Sequence, residues 1–381
     1  MSARAPLWDP DASMARHGEV HARVLAEAVG HADVEGALRV YRAMAHDWGE
    51  TPLADFAFRS KMTQDLTPLE FSVATSRAGA RLRWALHCVD RTGRDAGAGR
   101  ALGVGLCERL TAFGADLGRF RVALEELAPE RAIRGVPLMV GVDFGGRGPT
   151  FKAYFRGGAV TDPERRCCAA LRALGLGGQA AFLDDVFGRG PVHCFLVGLD
   201  LEPSAGARVK VYLACGPVEL ERSLARLVEA CGEPPAKLAA IEHFADALGG
   251  RPGAIRTSLT AINSLITLQF VGGREAPAGL AFNHLLHPSL DGDGAGDDDD
   301  DDDGGALDDE AISRRLVEIF ARSGLDAGAY LRALAAFARV PLRDEYLIHN
   351  FAALQGRPGA ESLSVYLNPR FFGYRFGVGE G

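Results

Sequence analysis

The sequence predicts an α+β fold in which ten antiparallel strands close into a single β-barrel, ringed by helices and built from five ααββ repeats. Three observations carry this expectation. Helical and hairpin patterns alternate five times along the 381 residues, a repeat of roughly 60–85 residues. Each hairpin turn is short, which forces its two strands to run antiparallel. Several second strands also put cations on one face and apolar groups on the other, because side chains alternate across a strand. A solenoid or an open sheet backed by helices is the competing layout. The closed barrel explains more, because it gives the polar face a lumen to line.

Residues 12–60 are helical in pattern, with apolar stripes at Val20, Val24, Leu25 and Val29 and at Val34, Leu38, Tyr41 and Met44. Strand-like runs follow at 67–75 and 80–89. Helical pattern returns at 99–128 through Leu106, Leu110, Phe113, Leu117 and Phe120. Strands 136–144 and 150–156 flank a Gly/Pro turn. Asp162-Pro163 reads as N-cap and first-turn proline of a helix that Gly175 ends. Strands 192–201 and 207–215 come next, then a helix that Gly216-Pro217 opens and Gly232 closes, and a helical stretch to about 248. Strands 264–272 and 277–286 lead to an acidic Gly/Asp segment at 291–305. Helical pattern at 310–338 and strands 345–355 and 361–368 complete the chain. Residues 1–381 read as one domain, with 291–305 a disordered, self-repelling loop.

Composition narrows the function. Hydrophobic residues make up 47% and charged residues 24%, enough apolar content for a large core. The net charge is −8, and the unbroken run Asp297–Asp303 supplies seven of those charges, leaving −1 elsewhere. No basic footprint exists for nucleic acid or an anionic membrane, so any anion site must come from a few converging cations. Seven cysteines without a CxxC pair, and no signal peptide at the start, point to a reducing cytoplasm with free thiols. No apolar run reaches the ~20 residues of a membrane span.

Those cations recur at matching places. In 208–213, Arg208, Lys210 and Tyr212 oppose Val209, Val211 and Leu213. In 151–155, Lys152 and Tyr154 oppose Phe151, Ala153 and Phe155. In 80–84, Arg81 and Arg83 oppose Ala80, Leu82 and Trp84. A solvated face would mix signs, but acidic residues are nearly absent from these positions. Guanidinium groups bind a diphosphate through paired hydrogen bonds and ammonium groups act as point charges. A tyrosine beside them can donate to phosphate, and its ring face stabilises a neighbouring cation by roughly 0.5–2 kcal/mol. An anion seat next to aromatic faces in a dry lumen suits the ionisation of an allylic diphosphate and capture of the cation by an electron-rich ring. Glu70, at the start of the first strand, is the candidate carboxylate to accept an indole N–H and help remove a proton. A salt bridge to Arg81 or Arg83 is an equal alternative for it.

The Leu69-Glu-Phe-Ser72 start, the Lys152-x-Tyr154 and Arg208-x-Lys-x-Tyr212 strands and the late Ser362-Leu-Ser-Val-Tyr366-Leu-Asn-Pro369 segment resemble the aromatic prenyltransferases of the dimethylallyltryptophan synthase class, and most closely its shorter, bacterial-type members. The resemblance spans roughly residues 65–370. It implies a ten-stranded barrel with an outer helical ring, and transfer of a dimethylallyl group to an indole such as tryptophan or a tryptophan-derived compound. No cofactor or obligatory metal is implied. Glu70 would contact the indole. Arg83, Lys152, Arg208 and Lys210 would grip the diphosphate, with Arg83 preferred over Arg81, and Tyr154, Tyr212 and Tyr366 would shield the cation. The fourth unit departs from the pattern: it reads Ala278-Gly-Leu-Ala-Phe-Asn-His284, without a Lys/Gln-x-Tyr pair, and Ser362 replaces a shielding tyrosine. Gln269 and His284 are the candidates to substitute. A non-indole aromatic acceptor and a noncatalytic barrel holding a phosphorylated small molecule are the other readings. The expected partners are the allylic diphosphate and the aromatic acceptor, with the chain a monomer or homodimer.

Other signals carry less. The Asp297–Asp303 run lies between glycines rather than on an apolar helix, so it does not read as a magnesium-diphosphate motif. Gly145-Gly-Arg-Gly148 lacks the Gly-Lys-Ser/Thr of a phosphate loop. The ten histidines include no HExxH, and the adjacent Cys167-Cys168 pair reads as packing.

Overall fold

The computed structural model describes residues 12–369 apart from 46–48, 53–54, 56–59, 61–62, 64–66, 90–94, 131–135, 146–147, 191, 204–205, 216, 250–263, 287–307, 339–340, 345–346 and 358. The acidic run and the surrounding 291–305 segment lie outside the described residues. Ten strands are present: β1 (Leu69–Ser76), β2 (Gly79–His87), β3 (Leu138–Gly145), β4 (Gly148–Arg156), β5 (Val192–Asp200), β6 (Val209–Cys215), β7 (Ser264–Phe270), β8 (Gly279–Leu285), β9 (His349–Gln355) and β10 (Ser362–Leu367). Each pairs antiparallel with its neighbours in chain order. β1 closes the cylinder by pairing with both β2 and β10. No sheet edge is left unpaired.

A pair of helices precedes each hairpin. These are α1 (Met14–Ala28) with α2 (Val34–Ala45), α3 (Ala96–Leu110) with α4 (Gly118–Leu127), α5 (Pro163–Ala173) with α6 (Gly177–Gly188), α7 (Pro217–Ala230) with α8 (Pro235–Gly249), and α9 (Asp309–Arg322) with α10 (Gly328–Phe337). The five ααββ units are therefore real. The pattern at 99–128 splits in two at Gly114, which adopts φ +98°, and Asp116 Oδ1 accepts from Gly118 N–H at 2.9 Å where α4 begins. Gly175 and Gly232 end α5 and α7 with positive φ. Asp162 stands before Pro163 as expected but does not cap. Its φ is 51°, its side chain makes no capping hydrogen bond, and its carboxylate faces Arg165 at 3.6 Å. On α1 the buried face runs through His17, Gly18, His21, Ala22 and Leu25, whereas Val20 and Val24 flank it. Close approach to α2 and β1 requires this rotation, since a Cβ on Gly18 would lie 2.8 Å from Leu69 Cδ2.

The core is the shell between barrel and helices. Along β6, Val209, Val211 and Leu213 are fully buried against that layer, while Lys210, Tyr212 and Ala214 between them keep partial exposure. Aromatic contacts tie strands to helices all round: Phe71 to Phe337 at 5.7 Å, Trp84 to Tyr41 at 5.8 Å, Phe155 to Phe120 at 5.9 Å and Phe282 to Phe244 at 6.3 Å. The period of two thus sends apolar residues outward into a dry shell and polar residues inward.

Candidate active site

The strand registers fix which residues share the lumen. Arg83 on β2 pairs with Asp143 on β3, and Glu70 on β1 pairs with Ala85. Lys152 on β4 pairs with Gly141 and Asp200, and Gly198 on β5 with Tyr154 and Lys210. Lys210 in turn pairs with Gln269 on β7. Tyr366 on β10 stands opposite Ser72. Cross-strand partners share a face, so Glu70, Arg81, Arg83, Lys152, Tyr154, Lys210, Tyr212, Gln269 and Tyr366 all line one interior. Arg208 lies just before β6, its carbonyl still accepting from Asp200 N–H at 3.0 Å.

His284 does not join them. It pairs with Ser264, and its Nδ1 bonds Ser264 Oγ at 3.0 Å. It shares the face of Leu280 and Phe282, and the Phe282 ring packs on α8. A one-residue step flips a side chain across the sheet, so Asn283 is the residue that enters the lumen. There its Nδ2 donates to Thr267 Oγ1 at 2.7 Å. The inward positions of β8 are therefore Gly279, Ala281, Asn283 and Leu285, all uncharged and the first two small.

The inward positions of the three second strands carry no acid, as expected, but the lumen as a whole does. The first strands of the second and third hairpins supply two. Asp143 lies 2.7 Å from Arg83 Nε, 3.5 Å from Arg81 Nη1 and 3.7 Å from Lys152 Nζ. Asp200 lies 2.8 Å from Arg208 Nε. Burial opposes ionisation of Asp143, but Arg83, Lys152 and Arg81 together hold its carboxyl below the usual range. Five cations stand around these two carboxylates, so positive charge is in excess there. Arg81 stands at the rim with 41% of its side chain exposed, against 15% for Arg83.

The lysines register this surplus. Burial, then repulsion from Arg83, pulls Lys152 down to about 8, against the attraction of Asp143 and Asp200. Lys210 lies well below its ordinary value through burial and the charges of Lys152, Arg208 and Arg83. Buried cations that repel one another mark a place where an anion would be stabilised.

Three tyrosines flank this cluster. Tyr154 and Tyr212 contact edge to face at 6.3 Å, and Tyr366 packs on Phe351 at 6.5 Å. The Tyr154 ring lies across two glycines. A Cβ on Gly198 would come 3.0 Å from its Cδ1, and one on Gly141 would come 3.1 Å from its Cε2. The repeated Val-Gly-x-Asp of β3 and β5 therefore does two jobs, clearing space for the ring and supplying a carboxylate. Burial pushes Tyr366 up to about 12 and raises Tyr154 and Tyr212 well above the ordinary phenol value as well, so all three rings stay neutral.

Glu70 is buried and accepts from Asn350 Nδ2 at 2.5 Å. The guanidinium of Arg83 goes to Asp143 and to Ser364 Oγ at 3.1 Å, not to Glu70. Further along β4, Arg156 Nη1 donates to His87 Nε2 at 3.4 Å. Burial first, then Arg156, depresses His87 to about 3 and keeps it neutral. Sequence reasoning missed Asp143, Asp200, Arg156 and Asn350. Inward parity marks the first three, and Asn350 enters through a strand irregularity that leaves no mark in the sequence. Among the described residues no group of three or more His, Cys, Asp or Glu side chains is placed to hold a metal ion.

A ten-stranded barrel with a cationic, tyrosine-lined interior defines the class of aromatic prenyltransferase barrels. Residues 33–275 match the family model described as tryptophan dimethylallyltransferase, which is well over half the chain, and the protein belongs to that family. Solved structures share the fold. A 6-dimethylallyl tryptophan synthase superposes with TM-score 0.78 at 22% identity, covering 94% of this chain and 97% of that one. The 6-dimethylallyltryptophan synthase of Micromonospora olivasterospora, solved with DMASPP and Trp, gives 0.78 at 21%, covering 94% and 98%. The 5-dimethylallyl tryptophan synthase of Streptomyces coelicolor, also with DMASPP and Trp, gives 0.79 at 20%, covering 97% and 99%. A search of curated proteins returned no match of comparable significance.

Proposed function

We propose that the protein transfers a dimethylallyl group from its diphosphate to the indole ring of tryptophan or a tryptophan-derived compound. The observation that carries this reading is the convergence of Arg83, Lys152, Arg208 and Lys210, from three hairpins, on one lumen that also holds Tyr154, Tyr212, Tyr366 and Glu70. Family membership supports it, as do the ligands named for the two synthases above.

The four cations hold the diphosphate and stabilise the charge that grows on it as the C1–O bond breaks. The bonding pair leaves with the diphosphate oxygen. The allyl cation is met by the neutral faces of Tyr154, Tyr212 and Tyr366 and kept from water by the closed cylinder. An indole carbon supplies the pair for the new C–C bond. The ring C–H bond then breaks, its electron pair restoring aromaticity and its proton passing to the released diphosphate, while Glu70 accepts a hydrogen bond from the indole N–H and stabilises the positive charge that the ring carries in between. Arg81, at the rim, attracts the incoming anion. Gln269, beside Lys210, offers an amide to the same end of the donor.

A second reading keeps this chemistry and changes the acceptor. Gly279 and Ala281 leave one end of the β8 wall of the lumen without bulk, which favours a larger aromatic such as a cyclic dipeptide. The experiment is incubation with dimethylallyl diphosphate, tryptophan and excess chelator. One C5 unit added to tryptophan supports the first reading, and addition only to other aromatics supports the second. Donor binding without product across a panel of indoles and phenols means a noncatalytic barrel. We also read residues 1–381 as one domain. The seven free cysteines fit a reducing cytoplasm, and no described helix is long and apolar enough to cross a membrane.

A further inference from the structure

Asn350 sits where β9 is irregular. Val365 pairs with Ala352 and Leu367 with His349, so Asn350 and Phe351 together oppose Tyr366. Such a bulge adds one residue and re-aims a side chain. His349 turns outward to the helix layer. Its Nδ1–H donates to Asp309 Oδ1 at 2.5 Å, its backbone N–H donates to the same oxygen at 3.1 Å, and Tyr330 O–H donates to its Nε2 at 2.8 Å. All three side chains are fully buried. Asn350 turns inward, and its Nδ2 reaches Glu70, 280 residues away in sequence.

The asparagine is itself wholly buried, and its Oδ1 has no hydrogen-bond partner among the described residues. A leucine there would remove the orphaned carbonyl but would also take the donor from the buried Glu70 carboxylate, so what the amide contributes at this position runs through Glu70. The amide's one described hydrogen bond goes to Glu70.

We propose that Asn350 is a positioning residue for Glu70. It holds one carboxylate oxygen so that the acceptor ring meets the carboxylate in a single orientation, and the outer Asp309–His349–Tyr330 clamp fixes the bulge that aims it. This inference rests on Glu70 being the acceptor-contacting carboxylate. Its consequence is regiochemical: an anchored indole N–H presents one ring carbon to the allyl cation, and a loosened one presents several.

The test uses the full chain with Asn350→Leu and Asn350→Ala, both without the donor, the second adding no bulk. Four readouts are needed: melting temperature, affinity for inorganic pyrophosphate, kcat with tryptophan, and the regioisomers formed. Asn350→Leu trades the orphaned carbonyl for the lost hydrogen bond to Glu70 and is expected to melt close to wild type. Both variants are expected to bind pyrophosphate as wild type does, to lose on the order of 10²-fold in kcat, and to give mixed regioisomers. Unchanged kcat and a single unchanged product in both variants overturn the proposal. So does a joint fall in melting temperature and pyrophosphate affinity in both, which would make Asn350 a residue of the fold. Wild-type protein that prenylates no indole overturns the reading of Glu70 first, and this proposal with it.

Discussion

Raising the pH from 7 to 9 should weaken donor binding by about tenfold through Lys152 alone. In the empty lumen, burial and Arg83 bring this lysine to about 8, although Asp143 and Asp200 pull the other way. A bound diphosphate adds negative charge within the lumen and is expected to keep Lys152 protonated through pH 9. Binding must then take up the proton that the free protein has lost. The free protein is about one-tenth deprotonated at pH 7 and about ten-elevenths at pH 9, so the dissociation constant rises about tenfold across the window. The diphosphate's own last ionisation, near 6, lies below it. Lys210 is lowered as well and steepens the slope. The assay is calorimetric titration of dimethylallyl diphosphate without acceptor, at five pH values, in buffers of different ionisation enthalpy so that proton uptake is counted directly. Lys152→Arg should flatten the Lys152 part of the slope, because a guanidinium stays charged throughout. A flat profile with no proton uptake in wild type would refute the reasoning, because Lys152 would then not face the diphosphate.

Three further outcomes follow from the same geometry. Because its proton affinity in the fold is below the unfolded value, charged Lys152 destabilises the empty protein below about pH 8, and the penalty fades as pH rises toward 10. Lys152→Met should therefore raise the melting temperature at pH 7 while abolishing donor binding. Asp143→Asn leaves Arg83 buried without its carboxylate and should cost about 3–5 kcal/mol in denaturant unfolding. Gly198→Ala puts a methyl 3.0 Å from the Tyr154 ring. It should divert the cation to water, read as dimethylallyl alcohol released per prenylated product.

Much of this was legible because a barrel obeys a period of two. The alternation in Arg208–Leu213 and Phe151–Phe155 separates lumen from shell without any structure, and strand ends such as Val192 and Gly145 fall within two residues of the expected bounds. His284 was misplaced although its parity with Leu280 and Phe282 puts it on the apolar side. Asp143 and Asp200 were in plain view, but they sit on first strands, whose inward faces become relevant only once β2–β3 and β4–β5 are known to pair. Asn350 lay beyond sequence reasoning. One extra residue in β9 decides whether it or His349 faces inward, and that bulge is fixed by a clamp from α9 and α10, at least 19 residues distant along the chain.

The central claim is that side chains from separate hairpins enclose one diphosphate inside the barrel. A crystal structure with a thiolodiphosphate analogue, which cannot readily ionise, tests it most directly. The account predicts phosphate oxygens within hydrogen-bond reach of Arg83, Lys152, Arg208 and Lys210, and the allylic C1 among the rings of Tyr154, Tyr212 and Tyr366. An analogue bound outside the lumen, or inside it but touching only one of those four cations, would contradict it.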